Sequence, residues 1–146
     1  MTTSHPFTVC EISTELQTLL KDFRFRKSGN KLDAVIMKVN KETREIILDE
    51  ELEDTTMASL LDSLPDHQPR FVLLSYELRI DSESRTSFPL VFIFISPRDA
   101  NPELQMMYAG SKLCLQRVVD CGGKVFEIRE LEELSEDWLK GKLLAT

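Results

Sequence analysis

Residues 88–119 read FPLVFIFISPRDANPELQMMYAGSKLCLQRVV. The stretch opens with an apolar run, Leu90 to Ile95, rich in β-branched and aromatic side chains and closed by Ser96-Pro97. A run that short reads as a strand buried on both faces rather than as a helix. Asn101 then offers a side-chain oxygen to the free N–H groups of a helix start. Pro102 fits the first turn, where its missing N–H costs nothing. The spacing predicts a helix from Pro102 to about Asp120. At roughly 100° per residue, one face collects Leu104, Met107, Tyr108, Ser111, Leu115, Val118 and Val119, with Cys114 on the same side. That face belongs on the sheet. The opposite face, where a solvated helix turns polar, carries Met106, Ala109, Gly110, Leu113 and Arg117. A Met or Leu stripe is most often core, and a helix apolar on its second face is either buried all round or keeps that face for a partner. Gly110 costs up to about 1 kcal/mol in a helix interior relative to Ala. With the flanking Lys112, Gln116 and Arg117, it favours the partner.

Outward from this stretch the chain alternates helices and strands. Ile12, Leu16, Leu19, Leu20 and Phe23 follow helical spacing, with Ser13 or Thr14 as N-cap. Arg24, Arg26 and Lys27 stand at the C-terminus of that helix, where cations complement its dipole. Strands over Ala34 to Val39 and Glu45 to Leu48 form a hairpin, and Thr55 or Thr56 caps a short helix that Pro65 ends. A third strand is expected from Arg70 to about Ile80, followed by a polar hairpin loop, 81–85. After the long helix, Lys124 to Ile128 reads as a strand parallel to a neighbour, because a helix intervenes. Ser135 caps a last helix that packs Trp138, Leu139, Leu143 and Leu144. The order predicts an α/β (α+β) fold: a central mixed sheet of five to six strands with helices on both faces. At 146 residues the chain is expected to form one domain, with residues 1–8 as a mobile tail.

Composition narrows the function classes. No apolar run approaches the ~18 residues needed to span a bilayer, and the N-terminus lacks the pattern of a secretory signal. Cys10, Cys114 and Cys121 are odd in number and lack metal-ligand spacing, which argues against a disulfide framework and for a reducing, cytosolic or nuclear compartment. The net charge of −7 argues against nucleic-acid binding, which needs a basic footprint. Against that sign, Lys21, Arg24, Arg26, Lys27 and Lys31 cluster, opposed only by Asp22, and suit an acidic protein surface. His5 and His67 follow no metal spacing, Gly122-Gly123 is no phosphate loop, and the acids from Asp49 to Glu53 read as solvated. Neither a catalytic constellation nor a metal or cofactor site emerges.

Five motifs in order carry a family resemblance: Phe23-Arg24-Phe25-Arg26-Lys27, Leu48-Asp49-Glu50-Glu51-Leu52-Glu53, Gln68-Pro69-Arg70-Phe71, the run from Gln105 to Lys112, and Val125-Phe126-Glu127-Ile128-Arg129. The chain resembles the actin-depolymerising-factor homology domain over nearly its whole length, and within that family the glia maturation factor branch. The resemblance implies that fold and a non-catalytic function: docking on the actin-related protein 2/3 complex, inhibition of branched nucleation, and debranching. It implies a first partner site at Met106, Gly110, Lys112, Leu113 and Arg117, rimmed by Arg24, Arg26 and Lys27. A second site would involve Glu83, Arg85, Glu136 and Asp137. Actin-severing relatives place Lys just ahead of the helix Met, whereas this chain has Gln105, which implies weak or no binding to actin itself. The implied protein is a cytoplasmic monomer that binds neither nucleic acid nor membrane. Its rivals are a cofilin-like severing protein and a small enzyme with an unrecognised site. Phosphorylation of Thr2, Thr3 or Ser4 would add negative charge beside the first site.

Overall fold

The computed structural model describes residues 11–26, 29–120, 122 and 124–145. Six strands form a mixed sheet: β1 (Glu11–Ile12), β2 (Leu32–Asn40), β3 (Glu45–Leu52), β4 (Arg70–Tyr76), β7 (Leu90–Ile95) and β8 (Val125–Ile128), in the order β1-β3-β2-β4-β7-β8. The outer pairs β1/β3 and β7/β8 are parallel, and the inner pairs are antiparallel. A separate two-stranded ribbon pairs β5 (Leu78–Ile80) with β6 (Arg85–Ser87). The helices are α1 (Thr14–Phe25), α2 (Met57–Asp62), α3 (Pro102–Val119) and α4 (Glu136–Ala145).

Period-two alternation on the three central strands builds two cores. Met37, Phe71 and Phe94 lie in register across β2, β4 and β7, as do Val35, Leu73 and Phe92. These point to the face covered by α1 and α3, where they meet Leu16, Leu20, Phe23, Met107, Tyr108, Leu115 and Val119. The intervening Ile36, Val72 and Ile93, and Ala34, Leu74 and Val91, point to the other face, under Leu60 of α2 and Leu139 and Leu143 of α4. Because helices cover both faces, the central strands read as unbroken apolar runs. The Phe71 ring lies between those of Phe92, Phe94 and Tyr108, with centroids 5.3–5.9 Å away. The Tyr108 hydroxyl accepts the Val39 N–H at 2.9 Å, tying α3 to β2.

Five local expectations change. Ile12 lies not in α1 but in β1, paired with Ile46, and Ser13 is the cap that accepts from the Leu16 N–H. The strand expected from Arg70 to Ile80 splits at Glu77. The β4/β7 ladder runs out at Ser75 and Leu90, because Pro89 has no N–H to continue it, and the chain turns into the ribbon. Val118 and Leu144, both placed in the core by spacing, are exposed, and Cys114 is half-buried on the flank of α3. Ser84 ends the turn between β5 and β6 in the left-handed region at φ 49°.

Candidate functional site

Helix α3 begins as its sequence dictates: the Asn101 side chain accepts the Glu103 N–H, and Pro102 occupies the first turn. Eighteen residues give it a length of about 27 Å. Its inner face is locked by Met107, Tyr108, Ser111, Leu115 and Val119. Its outer face is open: Met106 is 52% exposed and Leu113 56%, with Ala109, Gly110 and Arg117 exposed between and beyond them. Two large apolar side chains one heptad apart flank small residues, so a partner backbone can come close.

The surrounding charges are less free than their residue types imply. Lys112 is half-buried, with its ammonium 3.7 Å from Glu127 of β8. Arg24 donates to the Asp120 carboxylate at 2.8 Å, joining the C-terminal ends of α1 and α3, and its guanidinium lies over the Phe25 ring. Arg26 folds inward. It meets Asp22 at 2.6 Å, Glu51 at 3.0 Å and Glu53 at 3.2 Å, and lies over the Phe23 ring. The hydrogen bond to Asp22 is the largest cause holding its pKa above the ordinary arginine value. Arg26 therefore braces α1 against β3, and Arg24 retains more of the rim's exposed charge. Lys27 lies outside the described residues, as do Thr2, Thr3 and Ser4.

The second group of residues divides. Glu83 and Arg85 pair with each other at 3.0 Å near the turn of the β5/β6 ribbon, both exposed. Asp137 is exposed in the first turn of α4. Glu136 instead turns inward, accepting the Tyr76 hydroxyl at 2.8 Å with Lys31 and Lys140 at 3.4 and 3.7 Å. The hydrogen bond from Tyr76 is the largest cause lowering the Glu136 pKa, and burial, then that same bond, raises the Tyr76 pKa. Ribbon and α4 border one cleft of about 610 Å³, lined by Lys31, Tyr76, Leu78, Arg79, Glu136 and Leu144 among others.

Two features escaped sequence reasoning. Phe25 is 67% exposed and Phe88 is exposed as well, beside a 420 Å³ cleft that Phe23 and Leu90 also line. Phe23 and Phe25 are two apart on a helix and cannot both face the core, a signal that was present. The second is Gln105, whose side-chain amide donates to the carbonyls of Pro97, Arg98 and Ala100, bonds that spacing does not encode. Among the described residues no group of three His, Cys, Asp or Glu side chains is arranged to hold a metal ion, and no helix is long and apolar enough to cross a membrane.

Residues 9–144 match the family model described as cofilin/tropomyosin-type actin-binding protein. The chain is 50% identical to a glia maturation factor of Drosophila melanogaster over 135 residues, 92% of this chain and 96% of that one. It is 48% identical to human glia maturation factor beta over 140 residues, 96% of each. The solution structure of glia maturation factor from Caenorhabditis elegans superposes with a TM-score of 0.79 at 36% identity, covering 97% of this chain and 99% of that one. A Plasmodium berghei actin depolymerization factor 2 shares the fold at TM-score 0.77 and 24% identity, covering all of both chains. Exposed helix face, two-core sheet and near-complete alignment agree: the chain belongs to the cofilin/tropomyosin-type family of actin-cytoskeleton regulators, in its glia maturation factor branch.

Proposed function

We propose that this chain is a non-catalytic regulator of branched actin, acting in the cytoplasm as a monomer that docks on the actin-related protein 2/3 complex. It inhibits branched nucleation and promotes debranching. One observation carries the reading: Met106 and Leu113 stand exposed on a helix whose opposite face is fully packed. In this reading Met106, Gly110 and Leu113 seat against an actin-related subunit, Lys112 and Arg117 flank them, and Arg24 steers the approach. Occupancy of that surface blocks the first daughter-filament subunit, so new branches fail to start and existing ones detach. Gln105 adds no positive charge beside Met106, which favours the complex over actin itself. The β5/β6 ribbon with Glu83 and Arg85, and α4 with Asp137, supply a second contact, for which Glu136 orients the helix. The test is microscopy of branched networks assembled with the complex. Adding the chain lowers the density of junctions, and adding Met106→Asp/Leu113→Asp leaves it unchanged; a network indifferent to the unmodified chain overturns the reading.

A further inference from the structure

Gln105 lies on the flank of α3 toward β8, immediately before Met106, and its side chain is engaged within the chain. Its Nε2 donates to the Ala100 carbonyl at 2.8 Å and lies 3.2 Å from the carbonyls of Pro97 and Arg98. Its Oε1 faces Nη2 of Arg129 at 3.4 Å. Arg129, just past β8, donates through Nε to the Ser96 carbonyl at 2.8 Å, and its own carbonyl accepts the Arg98 N–H at 3.2 Å. Two side chains from different elements thus hold the carbonyls of Ser96, Pro97, Arg98 and Ala100, the segment that delivers the chain from β7 into α3.

A primary amide serves both sides of this arrangement, because it offers two N–H groups to the carbonyls and an oxygen to the guanidinium. Alanine offers neither. Glutamate turns a charge toward carbonyl oxygens. Lysine keeps donors, has no acceptor, and sets an ammonium beside Arg129.

We infer that Gln105 and Arg129 form a bracket fixing the 96–101 loop and the first turn of α3, and that they are positioning residues for the docking face. The inference rests on the proposed reading of that face. Gln105 precedes Met106 in the chain, so a loosened first turn would present Met106 in several orientations, and a partner would have to order it on binding.

The test uses the full chain and the variants Gln105→Ala, Gln105→Lys, Arg129→Ala and Arg129→Lys, at a temperature where each is folded. The readouts are amide exchange at Arg98 and Ala100 and affinity for the purified actin-related protein 2/3 complex. Gln105→Ala and Arg129→Ala should each speed exchange and weaken binding about 10-fold. Their double variant should be no weaker than either alone, because the pair acts as one unit. Arg129→Lys, which retains a donor for the Ser96 carbonyl, should recover part of both losses, and Gln105→Lys should follow Gln105→Ala. A merely structural role would lower the melting temperature and leave affinity unchanged. Gln105→Ala binding as tightly as the unmodified chain, or exchange unaltered in both alanine variants, would overturn the inference. Failure of the unmodified chain to bind the complex would overturn the proposed function instead, leaving exchange to decide whether the bracket exists.

Discussion

Replacing Met106 and Leu113 together by Asp separates a docking face from a core. Both side chains are about half exposed, 52% and 56%, so the folded chain has little packing to lose at either position. The cost to stability is mainly Asp's weaker helix propensity, at most about 0.7 kcal/mol per residue. A total near 1 kcal/mol lowers the melting temperature of a chain this size by about 3–4 °C. Were the two residues core, truncation alone would cost about 2–5 kcal/mol each, before any penalty for burying charge. Binding responds oppositely. Full burial of such a side chain is worth about 1.5–3 kcal/mol, and the exposed half leaves about 1 kcal/mol each to be gained against a partner. Losing both, and leaving two carboxylates to desolvate, gives at least about 3 kcal/mol, or more than 100-fold in Kd. Calorimetric melting and titration against the actin-related protein 2/3 complex read the two effects separately. Unchanged affinity, or a melting temperature down by more than about 15 °C, would refute the reasoning.

Arg24→Gln should slow association at low ionic strength, with the difference fading as salt rises, whereas Arg26→Gln should chiefly lower the melting temperature by breaking its ties to Asp22, Glu51 and Glu53; stopped-flow salt series and melts distinguish them. Tyr108→Phe leaves the Val39 N–H without its acceptor and should cost about 1–3 kcal/mol, visible as faster exchange at that amide. Because the Glu136 pKa is lowered in the folded chain, chiefly by the Tyr76 hydrogen bond, its stabilisation is present above the ordinary carboxylate range and lost as pH falls through the folded value. Acid melts of Tyr76→Phe should therefore show a shallower loss of stability with falling pH than the unmodified chain, and equal slopes would count against the coupling.

Much of this molecule was legible from periodicity. The face of α3 that lies outward was assigned from 100° spacing alone, because a helix pinned by an Asn-Pro start has a defined phase. Errors arose where a neighbouring element overrode a local pattern. Ile12 fits the helical stripe of α1, but pairing with β3 draws it into a strand. The alternation from Arg70 to Ile80 continues past Tyr76, yet Pro89, just before the facing strand β7, ends the ladder. Val118 and Leu144 satisfy the spacing yet stay exposed, Val118 directly beside the buried Val119. Side-chain charge was least legible: Arg26 and Glu136 read as surface groups, and residues distant in sequence hold them inward. Gln105 read as a missing positive charge, whereas its bonds to the 97–100 carbonyls depend on a loop geometry that spacing does not encode.

The central claim is tested most directly by equilibrium competition at physiological salt, with the labelled chain against the actin-related protein 2/3 complex, actin monomers and actin filaments. The account predicts tight binding to the complex, displaced by unlabelled chain and not by Met106→Asp/Leu113→Asp, with little binding to either form of actin. Strong binding to filaments accompanied by severing, with none to the complex, would contradict it and make the chain a cofilin-like severing protein.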